Sequence, residues 1–246
     1  MALDEGLRCD PDSKALSDER EKMVSGSIGP RMEPEPEPEP EPEMPAKRED
    51  PAALLAMSVS LMEAGDLKAA MRTVDRALVA DPNDPDLYCH KARIAMARGD
   101  IEGAAFLAGN SLRTNPNHSG LHEVAALARE RKGDLRGALA EADLAIANGL
   151  DTVSVHSLKG RVLEAMGHPE MAASSYSQAV ALDPDDLALA VSLARQQRAC
   201  GNVSGAYGTV SKVLRKDPSN IPAIMMKAEI ANSRGDADSA MSAYDL

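Results

Sequence analysis

Residues 92–104 read Ala92-Arg-Ile-Ala-Met-Ala-Arg-Gly99-Asp100-Ile-Glu-Gly-Ala104, and their spacing of a small residue, a glycine and an alanine recurs every 34 residues. The recurrence predicts a repeated unit in which a first helix ends at the glycine, because glycine adopts the left-handed backbone that stops many helices. A polar residue after the glycine is suited to cap a second helix. The glycines are Gly65, Gly99, Gly133, Gly167, Gly201 and Gly235, and the caps are Asp66, Asp100, Asp134, Asn202 and Asp236.

Small residues mark where the two helices of each unit meet. One lies seven residues before each glycine and an alanine lies five residues after it. Their size lets the helices approach closely. The first set is Ser58, Ala92, Ala126, Gly160, Ala194 and Ala228, and the second is Ala70, Ala104, Ala138, Ala172, Ala206 and Ala240.

The second helix of most units is predicted to end at a proline, which cannot continue a helix and pushes its neighbour out of helical geometry. The third unit lacks the proline, and there Gly149 is expected to stop the helix. The proline pairs are Asp81-Pro82, Asn115-Pro116, Asp183-Pro184 and Asp217-Pro218.

The composition of the 246 residues also favours helices. The chain is rich in alanine and leucine, and it has four tyrosines, one phenylalanine and no tryptophan. Strands draw on aromatic and β-branched residues, so a β-sandwich or β-barrel is disfavoured and an all-α fold is expected.

Residues 1–50 form a different region, an acidic tail ahead of the repeat array of residues 51–246. They hold 15 acidic and 7 basic residues of a chain whose net charge is -12. Residues 33–43 alternate glutamate and proline, which predicts an extended polyproline-II spacer. We expect the tail to be disordered.

Charge and cysteine content limit the partners and the compartment. A pI near 4.9 without a basic block argues against nucleic acid or an anionic membrane as the main partner. No signal peptide and no apolar segment long enough to cross a membrane is visible. Cys9, Cys89 and Cys200 are widely separated, so we do not expect disulfides, and we expect a cytoplasmic location.

The pattern resembles the tetratricopeptide repeat family in its period, its small eighth residue, Gly-Asp at the fifteenth and sixteenth places, alanine at the twentieth and Asp-Pro near the end. Units would start at residues 51, 85, 119, 153, 187 and 221, and the last is incomplete. The resemblance implies a right-handed superhelical solenoid of helix-turn-helix units with a peptide-binding concave face.

The sequence departs from the family at two places of the unit, the fourth and the twenty-fourth. The family often has a large aromatic residue at the fourth place. The fourth places are Leu54, Tyr88, His122, His156, Ala190 and Ile224, and the twenty-fourth are Val74, Ala108, Ala142, Tyr176, Val210 and Tyr244.

The resemblance further implies that the second, fifth, ninth and twelfth places of each first helix line that face. Arginine there suits a carboxylate or an acidic peptide, and methionine adds adaptable apolar contact. The alternative is that the arginines are solvated and pair locally, as Arg161 and Glu164 could, three residues apart on one helix. The candidate partner-binding residues are Arg93, Arg161, Arg195, Arg198, Met62, Met96 and Met225.

Other chemistry is not indicated. The Lys and Asn clamp with which some family members grip chaperone tails has no lysine at a fifth place and no asparagine at a ninth. His118, His122 and His156 lack accompanying ligands at metal spacing, so structural histidines are expected and no metal site is predicted. No catalytic motif and no cofactor-binding motif is recognisable.

The sequence therefore predicts a non-catalytic scaffold or adaptor that holds a peptide or helix of a protein partner, an acidic one included. Two alternatives stay open. Leu246 falls inside the last unit, so the chain is expected to be part of a longer protein, and the array could be a module of an enzyme such as a glycosyltransferase. The open ends could instead stack between copies and give self-association.

Overall fold

The computed structural model describes residues 50–233, and this part of the chain contains eleven α-helices and no strand. First and second helices alternate as the repeat predicts, so the all-α fold is confirmed as a helical-repeat solenoid. The acidic tail with its Glu-Pro spacer lies outside the described residues, and so does the predicted second helix of the sixth unit. The helices are α1 (Pro51–Glu63), α2 (Leu67–Ala80), α3 (Pro85–Ala97), α4 (Ile101–Thr114), α5 (Ser119–Arg131), α6 (Leu135–Ala147), α7 (Val153–Ala165), α8 (Pro169–Leu182), α9 (Leu187–Ala199), α10 (Val203–Lys216) and α11 (Ile221–Ser233).

The turn between the two helices of a unit has the predicted backbone. Gly65 has a φ of 82°, its N–H donates to the carbonyl of Met62, and the N–H of Asp66 donates to the carbonyl of Leu61 at 2.9 Å. These bonds satisfy carbonyls at the end of the first helix. The equivalent glycines of the next four units also have positive φ, and Gly149 does too, at 91°. The prediction that Gly149 stops the second helix of the third unit is confirmed.

The residue after the glycine caps the second helix through its side chain in four of the five described units. Its oxygen accepts the backbone N–H three residues later, at 2.8 Å for Asp100. His168 occupies this place in the fourth unit and makes no such bond, but Pro169 begins the helix there with a preset φ. The capping residues are Asp66, Asp100, Asp134 and Asn202.

The core runs along the whole array between the first and second helices. Ala92 and Ala104, at the eighth and twentieth places of the second unit, are fully buried, as predicted for a close helix contact. The eighth place of the first unit is Ser58, whose hydroxyl donates to the carbonyl of Ala70 at 2.8 Å. Nε2 of His90 in the next unit donates to the same hydroxyl oxygen at 3.0 Å. Buried hydrogen bonds therefore replace part of the apolar contact at this boundary.

Tyr176, the large residue at the twenty-fourth place of the fourth unit, packs against Gly160 at the eighth place of the same unit. A Cβ added to Gly160 would lie 2.8 Å from the ring of Tyr176, so only glycine leaves room for that ring. The hydroxyl of Tyr176 donates to Oε2 of Glu164 at 2.9 Å. Burial raises the pKa of Tyr176 above its ordinary value. The fourth unit thus departs from the family pattern by combining a larger residue at the twenty-fourth place with a smaller one at the eighth place, and the two residues are in contact.

The fourth place, where the sequence also departs from the family pattern, closes the outer side of several boundaries. The hydroxyl of Tyr88 donates to the carbonyl of Pro82 at 3.1 Å, and Nε2 of His122 donates to the carbonyl of Pro116 at 2.7 Å. Both bonds join a first helix to the turn that precedes it. The fifth unit has Ala190 at this place, and an alanine side chain can make no such bond.

Candidate protein-interaction surface

The first helices line one side of the array, here called the inner face. Neighbouring first helices contact each other directly at most boundaries, as α3 does with α5 and α9 does with α11, and the contact is weakest between α7 and α9. Neighbouring second helices do not pack against one another to a comparable extent. Because successive first helices are drawn together, their exposed sides face the inside of the array. All seven predicted site residues lie on these helices.

Ion pairs connect the inner face from unit to unit. Nε and Nη2 of Arg161 donate to the two carboxylate oxygens of Glu130 at 2.9 and 3.0 Å. Nη1 of Arg195 lies 3.8 Å from Oε1 of Glu164. Each pair joins the twelfth place of one unit to the ninth place of the next. The hydrogen bond to Glu130 raises the pKa of the Arg161 guanidinium above its ordinary value.

The two other arginines also pair across a unit boundary. Nη2 of Arg93 donates to Oε2 of Glu123 at 2.6 Å, and the Glu123 side chain is only 6% exposed. Nη2 of Arg198 lies 2.8 Å from Oε2 of Glu229, and Nε of Arg198 is buried without a hydrogen-bond partner. All four predicted arginines therefore have a carboxylate neighbour on the next or the preceding first helix.

The expected local pair between Arg161 and Glu164 is corrected by this geometry. Arg161 makes its two hydrogen bonds to Glu130 of the preceding unit, while Glu164 accepts from Tyr176 and pairs with Arg195. The stacking of units brings Arg161 closer to Glu130, 31 residues away in the sequence, than to Glu164, three residues away on the same helix. We did not predict the carboxylates. Comparing the twelfth place of each unit with the ninth place of the next would have revealed the opposite charges.

The N-terminal part of the inner face contains a cavity of about 430 Å³. Three predicted residues, Met62, Arg93 and Met96, lie around it, and the structure therefore brings them together. Arg161, Arg195 and Arg198 lie further along the array, and Met225 is 50% exposed on α11. The remaining lining residues are Glu123, Val124, Leu127, Leu150, Thr152 and Ser154.

The histidines have structural partners. Nδ1 of His122 lies 2.6 Å from Oε2 of Glu141, and Nε2 of His156 lies 2.8 Å from Oδ1 of Asp151. Nε2 of His118 lies 2.9 Å from Oδ1 of Asp86. Within residues 50–233, no group of three or more His, Cys, Asp or Glu side chains could hold a metal ion.

The two described cysteines are free thiols. Burial raises the pKa of the Cys89 thiol to about 11, which keeps it protonated and unreactive near neutral pH. Cys200 is partly buried and its Sγ donates to the carbonyl of Gln197 at 3.2 Å.

Comparison with protein-family models gives two matches, both described as tetratricopeptide repeat, over residues 51–94 and 153–186. The second match coincides with the fourth unit, and the first begins with the first unit and extends into the second. Both matched segments are therefore tetratricopeptide repeats, as the repeat pattern predicts. A comparison with curated proteins found no match.

Several solved structures share the fold. One, from a functional characterization of Pseudomonas aeruginosa pilF, is similar with a TM-score of 0.68 and 15% identity over 78% of this chain and 88% of that chain. YrrB, described as a TPR protein with an unusual peptide-binding site, has a TM-score of 0.66 and 17% identity over 70% and 89%. TTC0263, described as a thermophilic TPR protein in Thermus thermophilus, has a TM-score of 0.55 and 25% identity over 75% and 98%.

Tetratricopeptide repeat arrays act through surfaces, and these comparisons support a protein-interaction scaffold for this chain. None of the helices within residues 50–233 has the length and apolar character needed to cross a membrane.

Proposed function

We propose that the chain is a non-catalytic scaffold whose inner face holds a peptide or helix of a protein partner. The observation that carries the proposal is the inner cavity of about 430 Å³, which gathers Met62, Arg93 and Met96. A cavity of this size accepts an apolar side chain, and methionine adapts to its shape. The family comparisons support binding of a protein rather than a reaction.

The charged side chains of the inner face determine which kind of partner it binds. Arg93 uses Nη2 for Glu123 and its side chain is 45% exposed, so its guanidinium retains N–H donors for a carboxylate of the partner. The neighbouring carboxylates make the face electrically mixed. We therefore propose that an acidic partner shares the arginines with the resident glutamates, in register with the units.

The test is to exchange the charges of one pair. Glu130→Arg combined with Arg161→Glu keeps an ion pair across the boundary but reverses its polarity. A partner first recovered by affinity capture with the full chain should lose at least about fivefold in affinity, because a partner carboxylate positioned against Arg161 then meets a negative charge. Isothermal titration measures the change.

A control variant separates binding from folding. Lys132 pairs with Glu102 at 2.9 Å on the exposed turn region, and exchanging these two charges should leave affinity within about twofold. Unchanged affinity after the exchange of Glu130 and Arg161, combined with unchanged affinity after Met62→Glu, would contradict the inner-face proposal for that partner.

The finer predictions from the sequence stay predictions. They are the cytoplasmic location, the module of a larger enzyme and the self-association through open repeat ends. Sedimentation velocity at several concentrations tests the last of these, and Ile221, which is 68% exposed on α11, is the position at which a charged residue should abolish it.

A further inference from the structure

The outer side of the array has a cleft at several unit boundaries, lined by the two helices of a unit and by the second helix or the turn that precedes them. At the boundary of the first and second units, the cleft has a volume of about 350 Å³, and Tyr88 lies in its lining with its hydroxyl bound to the carbonyl of Pro82. At the boundary of the third and fourth units the cleft has about 290 Å³. There Nζ of Lys159 lies 2.7 Å from Oδ1 of Asp143, and the ion pair bridges the cleft. A large fourth residue and a Lys–Asp bridge are thus two devices that restrict these clefts.

Both devices are missing at the boundary of the fourth and fifth units. The fourth place is Ala190 instead of tyrosine or histidine, and the places of the Lys–Asp bridge hold Leu193 and Ser177. The cleft there reaches about 650 Å³, roughly twice the size of its equivalents. Its lining combines repeat positions that line two separate clefts at the other boundaries. The cleft therefore extends from the inter-unit turn at Pro184 to Gln197 on α9.

The walls of this outer cleft combine apolar surface with positive charge. None of the residues that line it is acidic. Lys216 holds Asp185 and the carbonyl of Pro184, both at 2.7 Å, while Lys212 and Arg215 have no carboxylate partner among residues 50–233. The apolar lining residues are Val180, Ala181, Leu187, Ala190, Leu193 and Val213.

We propose that this cleft is a second docking site, which binds an acidic peptide segment of a partner through one bulky apolar side chain. The apolar side chain occupies the space that Tyr88 takes in the second unit, and acidic residues beside it meet Lys212 and Arg215. Charge complementarity selects an acidic segment, because every charged residue in the lining is a base. The site lies on the opposite side from the inner face, so the chain can hold two segments at once.

The experiment uses the full chain and two fluorescein-labelled peptides. One is Asp-Glu-Glu-Leu-Phe-Glu-Glu-Asp, and the other has Ser-Ser in place of Leu-Phe. Fluorescence anisotropy at low salt should show binding of the first peptide that is at least about tenfold tighter than binding of the second, because only the first buries an apolar side chain.

Variants of the chain locate the binding. Ala190→Tyr restores the large fourth residue and should weaken the Leu-Phe peptide at least about tenfold. Leu193→Lys combined with Ser177→Asp rebuilds the bridge of Lys159 and Asp143 and should have the same effect if the tyrosine variant does not fold. Arg215→Glu should weaken binding by roughly twofold to fivefold.

The matched control is Arg113→Glu, at the same twenty-ninth place of the second unit, where Tyr88 lines the cleft. It makes the same change of net charge and should leave the affinity unaltered. The proposal is overturned if the chain does not prefer the Leu-Phe peptide, or if Ala190→Tyr and the rebuilt bridge, shown by circular dichroism to be folded, bind it as the parent chain does. Exchanging Glu130 and Arg161 should not affect this binding, so the two proposals fail separately.

Discussion

The boundaries on either side of the array's middle show how the same helical frame can be closed or open. At the second and third units the fourth residue is Tyr88 or His122, and each hydrogen-bonds the proline carbonyl of the preceding turn. At the fifth unit the residue is Ala190, and the outer cleft widens to about 650 Å³. The turns inside the units are alike, with φ of 80° at Gly133 and 82° at Gly201, so the difference arises between units. The first helices α7 and α9 also pack less closely at this boundary than neighbouring first helices do elsewhere, so side-chain size at the fourth place and the spacing of the units together distinguish an open boundary from a closed one.

Breaking a sealed boundary should have the largest effect. His122→Ala removes one of the two partners of the largely buried Glu141 carboxylate, which keeps only Arg129, and leaves the carbonyl of Pro116 unpaired. We expect a loss of about 3 kcal/mol in the free energy of unfolding, measured by urea denaturation. Ala190→Gly, at the same place of the open boundary, is the control and should cost only about 1 kcal/mol, the helix propensity of alanine over glycine. Equal losses in the two variants would show that the fourth place does not distinguish the boundaries.

The size exchange inside the fourth unit should be the next most sensitive feature. Gly160→Ala places a methyl group against the Tyr176 ring and should destabilise the chain by about 2 kcal/mol. Adding Tyr176→Val recreates the alanine and valine that the fifth unit has at Ala194 and Val210, both fully buried. Thermal denaturation should show that the double variant recovers most of the loss. A double variant less stable than Gly160→Ala alone would contradict this pairing.

Closing the open boundary should stabilise the chain slightly. Ala190→Tyr buries part of an aromatic ring against Leu193 and Val213 and offers a hydroxyl to the carbonyl of Pro184. We expect a gain of about 1 kcal/mol, or a rise of a few degrees in Tm, in the absence of any peptide. A clear fall in Tm would mean that the cleft is too narrow for the ring.

The smallest expected effect concerns the hydrogen bond between His90 and Ser58 at the boundary of the first and second units. Burial lowers the pKa of His90 below its ordinary value of 6.5, so the unfolded chain takes up a proton at this residue more readily than the folded chain. Stability should therefore fall as the pH drops below about 6.5, by less than 1 kcal/mol from this residue. The variant His90→Gln should lose less stability than the parent between pH 7.5 and 5.5, as scanning calorimetry can measure. An identical loss would assign the pH dependence to other groups.

The period of 34 residues, the glycine turns and the caps are local features, and the sequence was enough to predict them. Positive φ at Gly65 and Gly149 follows from the freedom of glycine, and the cap at Asp100 follows from the unpaired N–H groups at a helix start. The family and the all-α fold rest on these features alone. They require no knowledge of how one unit sits on the next.

The partners of the arginines and the openness of the clefts depend on the rotation and spacing between units. That offset brings Arg161 to Glu130 rather than to Glu164 on its own helix, and it sets Ala190 beside Val180 and Val213 in an unfilled space. Burial and Coulomb energies summed over all contacts determine this offset, and no single unit contains the information. The repeat pattern thus specifies where the helices begin and end, whereas the stacking of units specifies which of their side chains remain free to bind.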